Sequence, residues 1–312
     1  MKKLILCILI ALSFVSAHAQ DIVFTPQWTA QSQFAGYYVA KELGYYDQAG
    51  VDVKIVHPTP SNHSYDRIKN GLCNVITMEL IQAMQVTAKG EDFVNIMQTT
   101  QHSTLSAVVR NPDVKTFEDL KGCRVGTWKV GFSEIPFMID NDKNLNIDWI
   151  LFINPVSLFL SGAVEACLAK TYNEQELMLV AGIKPGNIIY FSEIGYDFPE
   201  DGVYTTREFY QQNPEKCRAF AEASRKGWEW AREHREEAID IVFKYIKADN
   251  IPTNRYHQRK MLDGVLKAQI DTPEGKPSFI LNKTDFSRLE EALVKYGFIT
   301  KRLNFDKFMG AR

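Results

Sequence analysis

After residue 19 the chain contains no apolar run approaching the ~20 residues that a membrane-spanning helix needs, so no later span is predicted. It has no basic excess: without Lys2 and Lys3, 34 basic residues face 38 acidic ones, a net of −4. That excludes a surface built for nucleic acid or anionic lipid, and no nucleic-acid partner is expected. There is no CxxC pair and no His/Cys cluster, so no metal site or cofactor is predicted. Of the five cysteines, Cys7 lies in the first 19 residues, while Cys73, Cys123, Cys167 and Cys217 are scattered singly. In an exported chain these four allow three full pairings. A chain this long does not depend on staples, and Cys73 and Cys167 sit in apolar strand-like runs, so buried free thiols are the simpler expectation. His57, His63 and His102 have no Ser or Cys at a recognisable catalytic spacing and read as structural or solvent-facing.

The first 19 residues read as a Sec signal: Lys2 and Lys3, an apolar core from Leu4 to Val15, and Ala17-His18-Ala19 as the cleavage site. The mature chain is expected to begin at Gln20, to be soluble and to be periplasmic. No Cys follows the predicted cut, which argues against a bacterial lipoprotein. The remaining 293 residues suffice for two domains or one large one.

Strand-like and helix-like segments then alternate. "DIVFT" (21–25), "VDVKIV" (51–56), "NVIT" (74–77) and "FVNIMQ" (93–98) read as strands separated by helices that stop at Gly44, Gly71 and Gly90. A second series follows with strands at 124–128, 149–153, 164–169 and 188–191. After "GVYTT" (202–206) the chain is helical almost to its end. This order predicts βαβ units and mostly parallel sheets. "NGLCNVITMEL" and "SGAVEACLAKTYNEQEL" share a faint pattern of Gly, polar residue, apolar strand and polar turn into a helix, as two similar halves would. Ligands of open α/β sheets sit beyond the carboxyl ends of the strands, which marks Thr77-Met78-Glu79 and Tyr172-Asn173-Glu174.

The stretch "W…QFAGYYVAKELGYYDQAGVDVKIV", followed by "KTFEDLKGCRVGTW", "SGAVEACLAKTYNE" and "DGVYTTREFYQQNPEKCRAFAEASRKGWEWAREHREEAIDIV", resembles the thiamine-pyrimidine-precursor branch of ABC-transporter substrate-binding proteins. The likeness covers most of the mature chain. It implies a type II periplasmic-binding-protein fold: two α/β lobes joined by two crossing strands, with the ligand in the cleft between them. Lobe one is expected to hold 20–108 and 205–312, lobe two 109–204, and the crossings to fall near 105–110 and 202–206. The family often has Asp where this chain has Asn74 and Glu165, which puts a polar contact inside each lobe in doubt.

On this reading the ligand-binding residues are Trp28, Tyr37, Met78, Glu79, Trp128, Tyr172, Asn173, Glu174, Tyr196 and Asp197. Trp28, in a polar turn, can stack on a planar ligand. Neighbours on a helix diverge by about 100°, so only one of Tyr37 and Tyr38 can face the cleft, and Tyr37 is preferred. Gly36 leaves room for a backbone or a ligand. Tyr172 offers a ring face, and Glu174 can accept hydrogen bonds from an exocyclic amine. The resemblance implies a Tyr and a Glu at these positions; helix capping by Asn173 and Glu174 is the alternative. Trp228 and Trp230, two apart on a helix, read as structural, with at most one well buried.

The expected function is delivery of a small planar heteroaromatic, a thiamine pyrimidine precursor foremost, to an ABC permease by a monomeric binding protein. The alternatives are riboflavin, an alkylsulfonate or nitrate, or a ligand-sensing role. No Arg stands in the predicted cleft segments, which counts against the anions. An enzymatic role is not expected. Pyrimidine-synthesising relatives carry a Lys and a His where this chain has Met78 and Gln82, and a cysteine-rich run that is absent here.

Overall fold

The computed structural model describes residues 21–59, 61–128, 134–152 and 155–309, so the predicted signal segment lies outside the described residues. Among the described residues ten strands form two five-stranded sheets with the same order of connection. In the first, β1 (Ile22–Thr25) lies between β2 (Val53–Ile55) and β3 (Val75–Glu79), parallel to both. β4 (Phe93–Gln98) lies at the edge. In the second, β6 (Arg124–Trp128) runs parallel to β7 (Asp148–Phe152) and β8 (Ala166–Lys170), with β9 (Asn187–Tyr190) at the edge.

The antiparallel member of each sheet comes from the other half of the alternating series. β5 (Leu105–Val109) enters the second sheet between β8 and β9, and β10 (Asp201–Thr206) returns to the first between β3 and β4. The sheets are therefore mostly parallel with one reversed crossing strand each, in a two-lobed α/β architecture. Residues 99–104 and 198–200 run side by side between the sheets. Glu200 seals this junction: its carboxylate accepts hydrogen bonds from the Thr104 backbone N–H (2.9 Å), the Ser103 hydroxyl (3.0 Å) and the Thr104 hydroxyl.

The two halves also share a strand-entry device. Asn74 Oδ1 accepts from the Val23 N–H at 3.0 Å, tying β3 to β1. Glu165 Oε2 accepts from the Arg124 N–H at 2.9 Å, tying β8 to β6. The polar contact that the missing Asp put in doubt is thus made in both lobes by another acceptor.

Around the first sheet the helices Ala35–Glu42, Pro214–Glu233, Arg235–Ala248 and Arg255–Ala268 bury a core of Phe24, Phe34, Tyr37, Phe220 and Trp228. Trp228 is fully buried and Trp230 only partly so, as their spacing on one helix predicts. Gly36 does make room, but for this core: a Cβ there would stand 2.2 Å from Trp228 Cδ2. All four described cysteines are free thiols; Cys73, Cys167 and Cys217 are buried and Cys123 partly so. Among the described residues no helix is long and apolar enough to cross a membrane.

Candidate functional site

The carboxyl ends of β3 and β8 face each other across the two lobes. Glu79 ends β3 and Lys170 ends β8, and both side chains are nearly buried. Lys170 Nζ lies 3.0 Å from Glu79 Oε1 and 2.8 Å from Glu200 Oε2, so one ammonium joins lobe one, lobe two and the junction. Burial opposes the lysine's charge, but the Glu200 and Glu79 carboxylates outweigh it and hold its pKa above the usual lysine value. Burial, reinforced by Glu200 and Asp201, raises the Glu79 carboxyl well above the ordinary range despite Lys170.

Asp201, the first residue of β10, is the next buried carboxylate. Its oxygens accept from Gln27 Nε2 (2.9 Å) and Gln33 Nε2 (2.7 Å), and Gln31 in turn donates to Gln33 Oε1 at 2.6 Å. The amides after β1 therefore orient a carboxylate at the junction. Burial raises the Asp201 pKa, with Lys170 and the two glutamines opposing it.

Tyr172 leaves the second lobe and inserts into the first, 4% exposed, within the cluster that holds Phe34, Tyr37 and Val265. It packs where helix Arg255–Ala268 has no side chain, at Gly264. Burial, then the negative charge of Asp201, Glu200, Glu79 and Glu174, push its hydroxyl pKa well above the usual range. The charges of four acidic residues thus bear on one tyrosine, with Lys170 paired to two of them. Glu174 accepts from the Lys170 backbone N–H (3.0 Å) and from Asn173 Nδ2 (2.9 Å), and its pKa is raised chiefly by burial.

A small cavity opens beside the Lys170 ion pairs, lined among others by Glu79, Tyr196, Phe198 and Lys170. Glu79, Tyr172, Asn173, Glu174 and Tyr196 are accordingly drawn into one neighbourhood. Two expectations require correction. Tyr37 does not face a cleft: it is fully buried between Phe24, Phe220 and Trp228, with its hydroxyl on Thr99 Oγ1 at 2.7 Å. Tyr38 is buried as well, because helices cover both faces of Ala35–Glu42. Met78 is fully buried in the hydrophobic core, because alternation along β3 turns it away from Glu79.

Trp28 is 47% exposed on the loop after β1, and Trp128 is half-buried at the end of β6. Asp197 serves the junction, accepting from the Ser103 N–H (2.8 Å) and pairing with His102 Nδ1 (2.7 Å). The residues missed by sequence reasoning are Lys170, Glu200, Asp201 and the glutamines. Lys170 had a signal: it stands five residues after Glu165, as Glu79 stands five after Asn74.

His102 is neither isolated nor simply solvent-facing. Its Nε2 donates to the Ile270 carbonyl (2.8 Å) while Nδ1 meets Asp197, so both nitrogens face acceptors and the imidazolium fits. The Asp197 hydrogen bond raises the His102 pKa against its partial burial. A raised histidine pKa stabilises the fold fully below the unfolded value of about 6.5 and loses that contribution as pH rises through the folded value. His102→Gln should therefore lower the melting temperature most near about pH 5.5 and least above about pH 8. A deficit that stays constant across thermal scans in this range would count against an imidazolium at this junction.

A family model described as NMT1/THI5 like matches residues 31–238. The chain belongs to the NMT1/THI5-like family. A formylaminopyrimidine-binding protein of Halalkalibacterium halodurans is 25% identical over 268 residues, covering 80% of this chain and 77% of that protein. Among solved structures, the periplasmic aliphatic sulphonate binding protein SsuA of Escherichia coli superposes with a TM-score of 0.67 at 15% identity, covering 92% of this chain and 91% of that one. The Candida albicans CA3427 gene product, described as having the generic periplasmic binding protein fold, gives 0.64 at 16% identity over 92% and 95%. The fold of this NMT1/THI5-like chain is that of the periplasmic binding proteins. The Halalkalibacterium and Escherichia coli proteins are both named as binding proteins.

Proposed function

We propose that the chain is a periplasmic solute receptor of an ABC importer whose ligand is a small planar heteroaromatic amine, a thiamine pyrimidine precursor foremost. The observation that carries this reading is the excess of carboxylate over ammonium at the cavity, Glu79 and Glu200 against Lys170. Glu79 and Glu200, which line the cavity, are acceptors for an exocyclic amine or a protonated ring nitrogen, each such charge-assisted bond contributing about 1.5–3 kcal/mol. Tyr196 lines the same cavity and offers a ring to a planar ligand. The formylaminopyrimidine named for the Halalkalibacterium relative has the same chemistry.

Among the described residues that line the cavity, a sulfonate or nitrate would find Lys170 as the one cation, and Lys170 is already paired twice. Riboflavin and a sensing role stay secondary. The lobes that close are taken as 20–108 with 205–312 and 109–204, the partner as an inner-membrane permease, and the working form as a monomer without cofactor.

A thermal-shift and calorimetric screen of the mature chain tests the ligand class. 4-Amino-5-hydroxymethyl-2-methylpyrimidine and its formylamino relative should raise the melting temperature, with a gain of about 2.7 kcal/mol at 100 times the dissociation constant. Stabilisation by an alkylsulfonate and by no heteroaromatic would refute the proposal.

A further inference from the structure

We infer that Lys170 is the specificity-determining residue of the cleft, its ammonium acting as a tethered stand-in for the ligand's amino nitrogen between Glu79 and Glu200. The inference deepens the proposed function and takes its ligand class from it. Three observations carry it. Lys170 is the strand-end residue of one lobe, and its pseudo-symmetric counterpart Glu79 is that of the other, so the ion pair closes the cleft from both sides. The ammonium is buried and borders the cavity, within reach of any molecule that enters it. Glu79 Oε1 is sealed from solvent and has the Lys170 ammonium, 3.0 Å away, as its one partner among the described residues, so its second lone pair retains capacity for a further N–H.

A lysine stem has four rotatable carbons, and its head can leave a carboxylate pair without moving the backbone. An amine-bearing ligand replaces the lost partner as it arrives. A ligand with only acceptors leaves two buried carboxylates without a donor when Lys170 swings away, and is rejected for that reason. Lys170 thus discriminates by competing for the same two carboxylates that the ligand needs.

The test has an arm that requires no pyrimidine. Lys170→Ala opens the space beside Glu79 and Glu200, and millimolar ethylammonium chloride should then raise the melting temperature of the variant more than sodium chloride at equal ionic strength, with no such difference in the unmodified chain. Equal responses to the two salts overturn the inference. In the second arm, Lys170→Met should lower the preference for 4-amino-5-hydroxymethyl-2-methylpyrimidine over its 4-hydroxy analogue about tenfold by calorimetry, because the analogue no longer has to displace an ammonium from two carboxylates, while affinity for the aminopyrimidine holds or rises. Glu79→Gln, which preserves shape, should lower that preference. A Lys170→Met variant that binds the aminopyrimidine more weakly makes Lys170 a direct ligand contact, and one whose preference is unchanged or raised removes Lys170 from the discrimination; either result overturns the inference. If the unmodified chain binds neither pyrimidine, the ligand assignment fails, and the ethylammonium arm still decides the role of Lys170.

Discussion

Gly36→Ala should destabilise the protein by about 3 kcal/mol or more, beyond the usual cost of one added methyl, because the site has no space on either side. Gly36 lies in helix Ala35–Glu42 where it meets Pro214–Glu233. A Cβ would fall 2.2 Å from Trp228 Cδ2 and 2.3 Å from Cγ, far inside the roughly 3.5–4.0 Å optimum for carbon pairs. The opposing helix is equally close, since a Cβ on Gly227 would stand 2.0 Å from the Gly36 carbonyl oxygen and 2.9 Å from Ala40 Cβ. The indole cannot retreat, because Tyr37 abuts it edge-on, 5.7 Å between centroids, and is itself anchored to Thr99.

With a total stability of about 5–15 kcal/mol, such a loss should lower the melting temperature by roughly 10 °C. Calorimetry of Gly36→Ala, Trp228→Leu and the double variant checks the cause. Smaller than additive losses, by about 1 kcal/mol or more, are expected if methyl and indole compete for one volume. Strict additivity would refute that account.

The same glycine shows what a sequence reveals and what it withholds. The lobed α/β fold was legible because hydrophobic alternation, helix-stopping glycines and the order of elements are local signals. The crossing strands followed from the resemblance, and 105–109 and 201–206 adopt reversed positions in their sheets. Gly36 was legible as a place of close approach, but its partner lies almost two hundred residues away on another helix, so a ligand and an indole looked alike from the sequence.

The site divides in the same manner. Tyr172 and Glu174 stand at a strand end followed by a helix, a position that periodicity can locate. Lys170 was hidden because a lysine closing an apolar strand reads as the first residue of a solvated turn. Only the pairing with Glu79 and Glu200 makes its burial tolerable. Gln27 and Gln33 read as loop polarity, yet they hold Asp201, 174 and 168 residues distant.

Gly264→Ala should separate stability from binding. Gly264 lies within helix Arg255–Ala268 of the first lobe, where alanine is favoured over glycine by about 1 kcal/mol, so the melting temperature of the unliganded variant should hold or rise. Between the lobes the effect is opposite. The added Cβ would stand 2.6 Å from Tyr172 Cβ and 3.3 Å from its Cα, atoms that every residue but glycine carries or shares. No rotamer of Tyr172 removes that contact, and Tyr172→Phe cannot relieve it. The second lobe must back away from the first, and the cost falls on every state in which Tyr172 seats against this helix, which on the proposed function is the closed one. A penalty of about 1–3 kcal/mol on that form weakens ligand affinity roughly five- to hundredfold, since each 1.4 kcal/mol is tenfold. Calorimetric titration with the aminopyrimidine measures the loss, and small-angle scattering should find the liganded variant more open than the liganded parent. Unchanged affinity would mean that Tyr172 need not seat against this helix for ligand to be held.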